Sequence, residues 1–182
     1  MGQPKQLLPY RGQILLGHVI QCALASSCSP VVVVLGAHAD KIAPEIAHFP
    51  IEIVNNSDWN QGMSSSIQCG LNYLKDRSIE GIVFLTCDQP FISTDIIEQL
   101  IDLYTQSNKA IIASQYGEII GIPALFTRSA WPELIQLKGD SGAKSIIQKN
   151  RDRVATIKFF QGRIDLDTPA EYQQFISERN VV

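Results

Sequence analysis

Residues 81–90 read Gly81-Ile82-Val83-Phe84-Leu85-Thr86-Cys87-Asp88-Gln89-Pro90. After the glycine the side chains are apolar or β-branched without polar alternation, the pattern of a strand covered on both faces. The run ends at Asp88-Gln89-Pro90, where proline cannot continue a ladder. Strands buried on both faces belong to sheets flanked by helices on either side, and ligands in such open sheets bind beyond the carboxyl ends of the strands. Asp88 is therefore aimed at the ligand side. A carboxylate there suits Mg²⁺, which prefers oxygen ligands and is held by one or two carboxylates together with substrate phosphates.

Outward from this stretch, strands and helices alternate. Residues 15–27 carry Leu16, Val19, Ile20, Ala23 and Leu24 on one helical face, and residues 31–35 form a second buried strand. Residues 36–48 read as a loop and short helix, 51–54 as a strand, 55–62 as polar loop and 63–75 as a helix. Residues 93–106 form a helix opened by Ser93, Thr94 and Asp95, residue types that satisfy free N–H groups at a helix start. Residues 110–114, 119–126 and 154–159 read as strands, 130–137 and 141–149 as helices, and 162–166 as an extended segment. The closing helix, 169–179, begins with Thr168-Pro169-Ala170-Glu171, a capping box with proline at the first helical position. This order predicts one α/β domain over residues 1–182 with a doubly wound, mostly parallel sheet.

The bulk properties narrow the partners. The 182 residues are 45% hydrophobic and 18% charged, with a net charge of −3. No basic stripe offers a footprint for nucleic acid, and no apolar run spans a bilayer, so neither nucleic acid nor membrane is an expected partner and the expected location is cytoplasmic. Cys22, Cys28, Cys69 and Cys87 have no C-x-x-C spacing and read as reduced thiols. His18, His38 and His48 match no metal pattern, and His18 reads as structural.

Four more polar clusters lie in loops. Gly2-Gln3-Pro4-Lys5 ends in a lysine, a compact charge with three donors that can reach triphosphate oxygens when it follows a strand–glycine loop, although alone Lys5 is a surface lysine. Gly62-Met63-Ser64-Ser65-Ser66 opens a helix after a strand; Gly62 allows close backbone approach and the free N–H groups suit an anion, against the plainer reading of a serine cap. Asp165-Leu166-Asp167 has period-two spacing, so both carboxylates face one side, and Asp167 is the preferred partner for Asp88. Gly139-Asp140-Ser141-Gly142-Ala143-Lys144 is too short for a Walker A loop. With Gly121-Ile122-Pro123 upstream, it can shape a pocket for a second substrate.

The ordered set Met-Gly-x-Pro-Lys, Gly-Met-Ser-Ser-Ser, Asp-Gln-Pro, Gly-x-Pro-x-Leu-Phe, Gly-Asp-x-Gly-Ala-Lys and Asp-x-Asp-Thr-Pro resembles the MobA-like nucleotidyltransferase family over the whole chain. It is most similar to the molybdenum cofactor cytidylyltransferase branch. The resemblance begins at Met1, so a strand and glycine turn of about 15 residues are expected upstream. It implies a Rossmann-like nucleotidyltransferase fold, Mg²⁺ as cofactor, and an NTP (CTP favoured) with molybdopterin phosphate as acceptor. Molybdoenzymes or their chaperones are the further partners it implies. Lys5 and Asp88 become catalytic, with Asp88 and Asp167 holding the metal. Gly2, Lys5, Gly62, Met63, Ser64 and Ser65 lie by the nucleotide, and Gly121, Pro123, Asp140 and Lys144 towards the acceptor. Lysine stands at 144 where the family motif commonly has arginine, which removes a planar fork. Another phosphorylated acceptor, or a non-catalytic binding role on the same fold, stays open.

Overall fold

The computed structural model describes residues 4–179. After a 3₁₀ turn at Lys5–Leu7 comes a hairpin in which β1 (Pro9–Tyr10) and β2 (Gln13–Ile14) pair antiparallel. Arg11 and Gly12 both adopt positive φ, 49° and 77°, as a two-residue primed turn requires. Then follow α1 (Leu15–Leu24), β3 (Val32–Leu35), α2 (Ala39–Ile46), β4 (Glu52–Asn55), α3 (Met63–Leu74), β5 (Gly81–Phe84) and α4 (Thr94–Gln106). The second half adds β6 (Ile111–Tyr116), β7 (Ile119–Thr127), α5 (Trp131–Ile135), α6 (Ala143–Lys149), β8 (Val154–Lys158) and α7 (Pro169–Arg179).

Strands β3 and β4 pair in parallel. The larger sheet has the order β5-β7-β6-β8. Its β6–β8 pair is parallel and β7 is antiparallel to both neighbours, so β5, β6 and β8 share one direction. Burial shows the double winding directly. Ile111 and Phe126 pack with the apolar faces of α3, α5 and α6. Their chain neighbours Ile112 and Leu125 pack on the opposite side with Ile96 and Leu100 of α4. Each of these four sheet residues is at most 4% exposed, so both faces of the sheet are core.

Three segments differ from the sequence reading. The strand expected over residues 81–87 ends at Phe84, which pairs with Ala124. The next β7 residue is Pro123, which has no N–H to offer a ladder. A register shift at Ala113/Ser114 places Ile122 and Pro123 in a bulge of β7. Residues 162–163, expected to open the extended segment over 162–166, instead close a 3₁₀ turn (Phe160–Arg163). Gly162 is buried there, and a Cβ on it would lie 2.6 Å from the Phe159 ring. The helix expected over 130–137 is a 3₁₀ turn at Arg128–Ala130 followed by the short α5.

Among the described residues, no helix is long and apolar enough to cross a membrane. All four cysteines are free. A ring nitrogen of His18 lies 2.9 Å from the Ile92 carbonyl oxygen, a structural contact.

Candidate active site

The loop after β5 carries Asp88 to the end of the sheet, and two other segments meet it there. Lys5, at the start of a 3₁₀ turn (Lys5–Leu7), donates from Nζ to Asp88 Oδ2 at 2.7 Å and to Asp167 Oδ1 at 2.9 Å. Three residues from the two ends and the middle of the chain thus share one ion cluster. The backbone beneath it is fixed independently. Leu166 N–H donates to the Asp88 carbonyl at 2.9 Å, and Leu166 itself is 1% exposed between the exposed Asp165 and Asp167. This is the period-two arrangement expected for those carboxylates, reached without a strand.

The capping box at the start of α7 steadies Asp167. Glu171 Oε2 accepts hydrogen bonds from the N–H groups of Asp167 and Thr168, at 3.0 and 2.8 Å. Glu171 N–H donates back to Thr168 Oγ1 at 3.2 Å. Thr168→Ala removes the cap oxygen, and we expect urea denaturation to show a loss of about 1 kcal/mol.

Gln89 anchors the other side of Asp88. It is 4% exposed, and its Nε2 donates to Gly162 O at 2.9 Å and to Ile122 O in the β7 bulge at 3.2 Å. The Tyr10 hydroxyl donates to Pro90 O at 2.8 Å, and the Tyr172 hydroxyl to Pro9 O at 2.7 Å. The opening hairpin, the Asp88 loop and α7 are therefore tied into one scaffold around the ion cluster.

Electrostatics follow from this packing. Burial opposes the Lys5 ammonium, but hydrogen bonds to Asp88 and Asp167 outweigh it and hold its pKa above the ordinary lysine value. Burial likewise opposes the Asp88 carboxylate; Lys5 and the Thr86 hydroxyl outweigh that and hold its pKa below the usual range. Burial, with Asp88 and Asp167 nearby, pushes Asp165 up. Burial and the Asp88 charge push the Cys87 thiol up to about 12, so Cys87 is no nucleophile at neutral pH.

The Gly62 region forms a second assembly. Gly62 has φ +97°, and a Cβ there would lie 2.5 Å from the Gly139 carbonyl carbon and 2.6 Å from Asp140 Oδ1. Ser64 N–H donates to Gly139 O at 3.0 Å, and a Cβ on Gly142 would lie 2.5 Å from Met63 Sδ. The two glycine loops are thus packed backbone to backbone, and Asp140 stands beside the Gly62–Met63 turn. The serines are not simple caps: Gly62, at the N-cap, has no side chain to cap with. Ser65 Oγ donates to Gly62 O at 2.8 Å. Asn56, 4% exposed, donates from Nδ2 to Ser65 Oγ at 2.9 Å and Ser66 Oγ at 3.0 Å. Met63 remains 56% exposed at the mouth of this turn.

Gly121 and Lys144 form a third grouping around Tyr116. A Cβ on Gly121 would collide with the Tyr116 hydroxyl and come within 3.9 Å of Lys144 Cδ. Pro123 is buried, its carbonyl accepting from Ser114 Oγ at 2.7 Å. Of the residues expected near the acceptor, Gly121 and Lys144 adjoin each other, while Asp140 sits with the Gly62 turn. Gly2 lies outside the described residues. Sequence reasoning missed Asn56, Gln89, Tyr10 and Tyr116. Asn56 and Gln89 carried a usable signal, being polar residues at strand ends.

Two carboxylates converging on one cation fit a divalent metal of the Mg²⁺ or Mn²⁺ kind. Among the described residues no group of three or more His, Cys, Asp and Glu side chains could hold a metal. Two oxygen donors are enough for a cation that keeps waters and takes substrate phosphates as further ligands.

The acid pair and the lysine lie beyond the strand ends, where open α/β sheets bind their ligands. Residues 1–154 match the model of the MobA-like NTP transferase domain, and the chain belongs to that family. It is 36% identical over 156 residues to nicotine blue oxidoreductase of Paenarthrobacter nicotinovorans, covering 80% of this chain and 74% of that protein. It is 28% identical to purine catabolism protein PucB of Bacillus subtilis, covering 94% and 87%. It is 23% identical to molybdenum cofactor guanylyltransferase of Photobacterium profundum, covering 96% and 87%. Among solved structures, the Rv0371c homologue from Mycobacterium sp. strain JC1 superposes with a TM-score of 0.83 at 30% identity, over 98% of this chain and 89% of that one. Rv0371c of Mycobacterium tuberculosis in complex with manganese superposes with 0.79 at 26% identity, over 96% and 91%.

Proposed function

We propose that the protein transfers CMP from CTP to the phosphate of molybdopterin, releasing pyrophosphate. The observation that carries this reading is the Lys5–Asp88–Asp167 cluster, with Asp88 in the loop after β5 and the ion pairs at 2.7 and 2.9 Å. An acceptor phosphate oxygen attacks the α-phosphorus, the bond from the α-phosphorus to the α,β-bridging oxygen breaks, and pyrophosphate departs with that oxygen. The acceptor is already an anion, so no side chain need activate it; alignment and charge neutralisation supply the catalysis.

Asp88 and Asp167 would hold Mg²⁺, which when bound supplies charge neutralisation on the triphosphate. Lys5 would stabilise the charge gathering on the leaving pyrophosphate. The Gly62–Ser65 turn would receive the base and ribose, where glycine permits close backbone approach. Gly121, Pro123 and Lys144 would border the acceptor, with Asp140 between the two substrates. The manganese complex of a 26% identical protein supports a divalent ion. The guanylyltransferase relative supports molybdenum cofactor as the acceptor and makes GTP the competing nucleotide.

The test offers all four NTPs, each α-labelled, with Mg²⁺ and molybdopterin. We expect label in the acceptor from CTP well above that from GTP. Preference for GTP would overturn the cytidylyl assignment. Transfer only to other phosphorylated acceptors would overturn the molybdopterin assignment.

A further inference from the structure

In the described structure the site already contains a cation, the Lys5 ammonium. Two of its three N–H groups point to Asp88 Oδ2 and Asp167 Oδ1. Those are the oxygens a divalent ion would need. With the lysine in place the three groups sum to one negative charge; a divalent ion added beside it would put like charges in contact within a half-buried cluster, where repulsion is poorly screened. With the lysine withdrawn, a divalent ion and the two carboxylates are neutral.

The carboxylates do not need Lys5 to stay where they are. Leu166 N–H on the Asp88 carbonyl and Glu171 on the Asp167 and Thr168 amides hold the two backbones together from below. Lys5 itself sits in one short 3₁₀ turn and reaches the pair through a flexible four-carbon stem. The backbone of the pair is thus tied down independently of Lys5, and the lysine stem has the rotatable bonds to leave.

We propose that Lys5 and a divalent metal compete for Asp88 and Asp167, and that the metal binds tightly only once a triphosphate draws the lysine away. Lys5 is then a resident counter-ion that couples metal binding to nucleotide binding. The coupling is reciprocal, because the metal that displaces Lys5 also frees it for phosphate. The competition rests on the ion cluster alone; the nucleotide half rests on the function proposed above.

Free Mn²⁺ can be counted by electron paramagnetic resonance during titration of the whole protein without nucleotide. Lys5→Gln should bind Mn²⁺ about tenfold more tightly than the parent, the gain expected from removing one neighbouring positive charge. Lys5→Arg, which keeps the charge, should bind as weakly as the parent. Asp88→Asn should lose the binding, and thermal melts confirm that each variant is folded. Lys5→Gln binding no more tightly than the parent overturns the competition. In a second arm, measured against a protein-free blank because the analogue itself chelates Mn²⁺, saturating α,β-methylene-CTP should tighten Mn²⁺ binding in the parent by about tenfold more than in Lys5→Gln, where only the added phosphate ligands remain. If the metal-only arm behaves as stated and the analogue has no effect on the parent, the competition stands and the proposed triphosphate substrate fails.

Discussion

Asp88→Asn lowers the rate of pyrophosphate release by about 10²- to 10³-fold, the scale on which removal of one preorganised charge-stabilising group acts in a transition state. The substitution keeps the shape of the side chain and deletes its charge. In the parent that charge is half-buried, held by Lys5 at 2.7 Å and steadied by the Thr86 hydroxyl. Without it, Asp167 alone faces the cation, and that carboxylate is 62% exposed and well solvated. One solvated carboxylate holds a divalent ion poorly. Lys5 also loses the partner that places its ammonium. The fold should survive, because the Leu166 N–H bond to Asp88 uses the backbone carbonyl. Steady-state kinetics with saturating Mg²⁺ and nucleotide, beside a urea unfolding curve, measures both halves of this expectation.

Gly62→Ala destabilises the protein by about 3 kcal/mol, combining backbone strain with overpacking. At φ +97° an alanine is strained whatever surrounds it. Its Cβ would also meet the Gly139 carbonyl carbon at 2.5 Å and its oxygen at 2.6 Å, and backbone atoms cannot turn aside as a side chain can. The loops must separate, which breaks the Ser64 N–H bond to Gly139 O and shifts the start of α3. Gly117→Ala is the control. Gly117 has φ +67°, and a methyl group there would meet nothing within 4 Å, so only strain remains, about 1 kcal/mol. Urea denaturation of both variants separates the clash from the strain.

The unbroken apolar run at residues 81–87 marked a strand covered on both faces and placed Asp88 beyond its end, although the strand itself stops at Phe84. The capping box at Thr168 and the cap at Ser93 were equally legible, because their chemistry is local: Ser93 Oγ accepts the Ile96 N–H at 3.4 Å, three residues away. Asp88 and Asp167 could be paired because each follows a segment read as extended, although no strand leads directly into Asp167 in the structure and the third member, Lys5, gained meaning only beside them.

What stayed hidden depended on contacts between distant segments. Arg11 at positive φ is an uncommon turn residue, and the Tyr10–Pro90 and Tyr172–Pro9 bonds that hold the hairpin leave no periodic trace. The serines after Gly62 looked like caps, yet Asn56 claims two of them. The turn at residues 160–163 follows from Gln89 grasping Gly162, a bond no local propensity encodes. Asp140 reads as part of its own loop and lies against Gly62 because two glycine turns interlock.

Lys5, Asp88 and Asp167 together constitute the proposed centre for metal-dependent nucleotidyl transfer. The most direct test follows α-labelled CTP and pyrophosphate together, with the protein, Mg²⁺ and molybdopterin. We predict one pyrophosphate released for each labelled CMP joined to the acceptor, with both lost when the metal is chelated. Pyrophosphate release that persists after chelation, or no release from any NTP with the metal present, would contradict it.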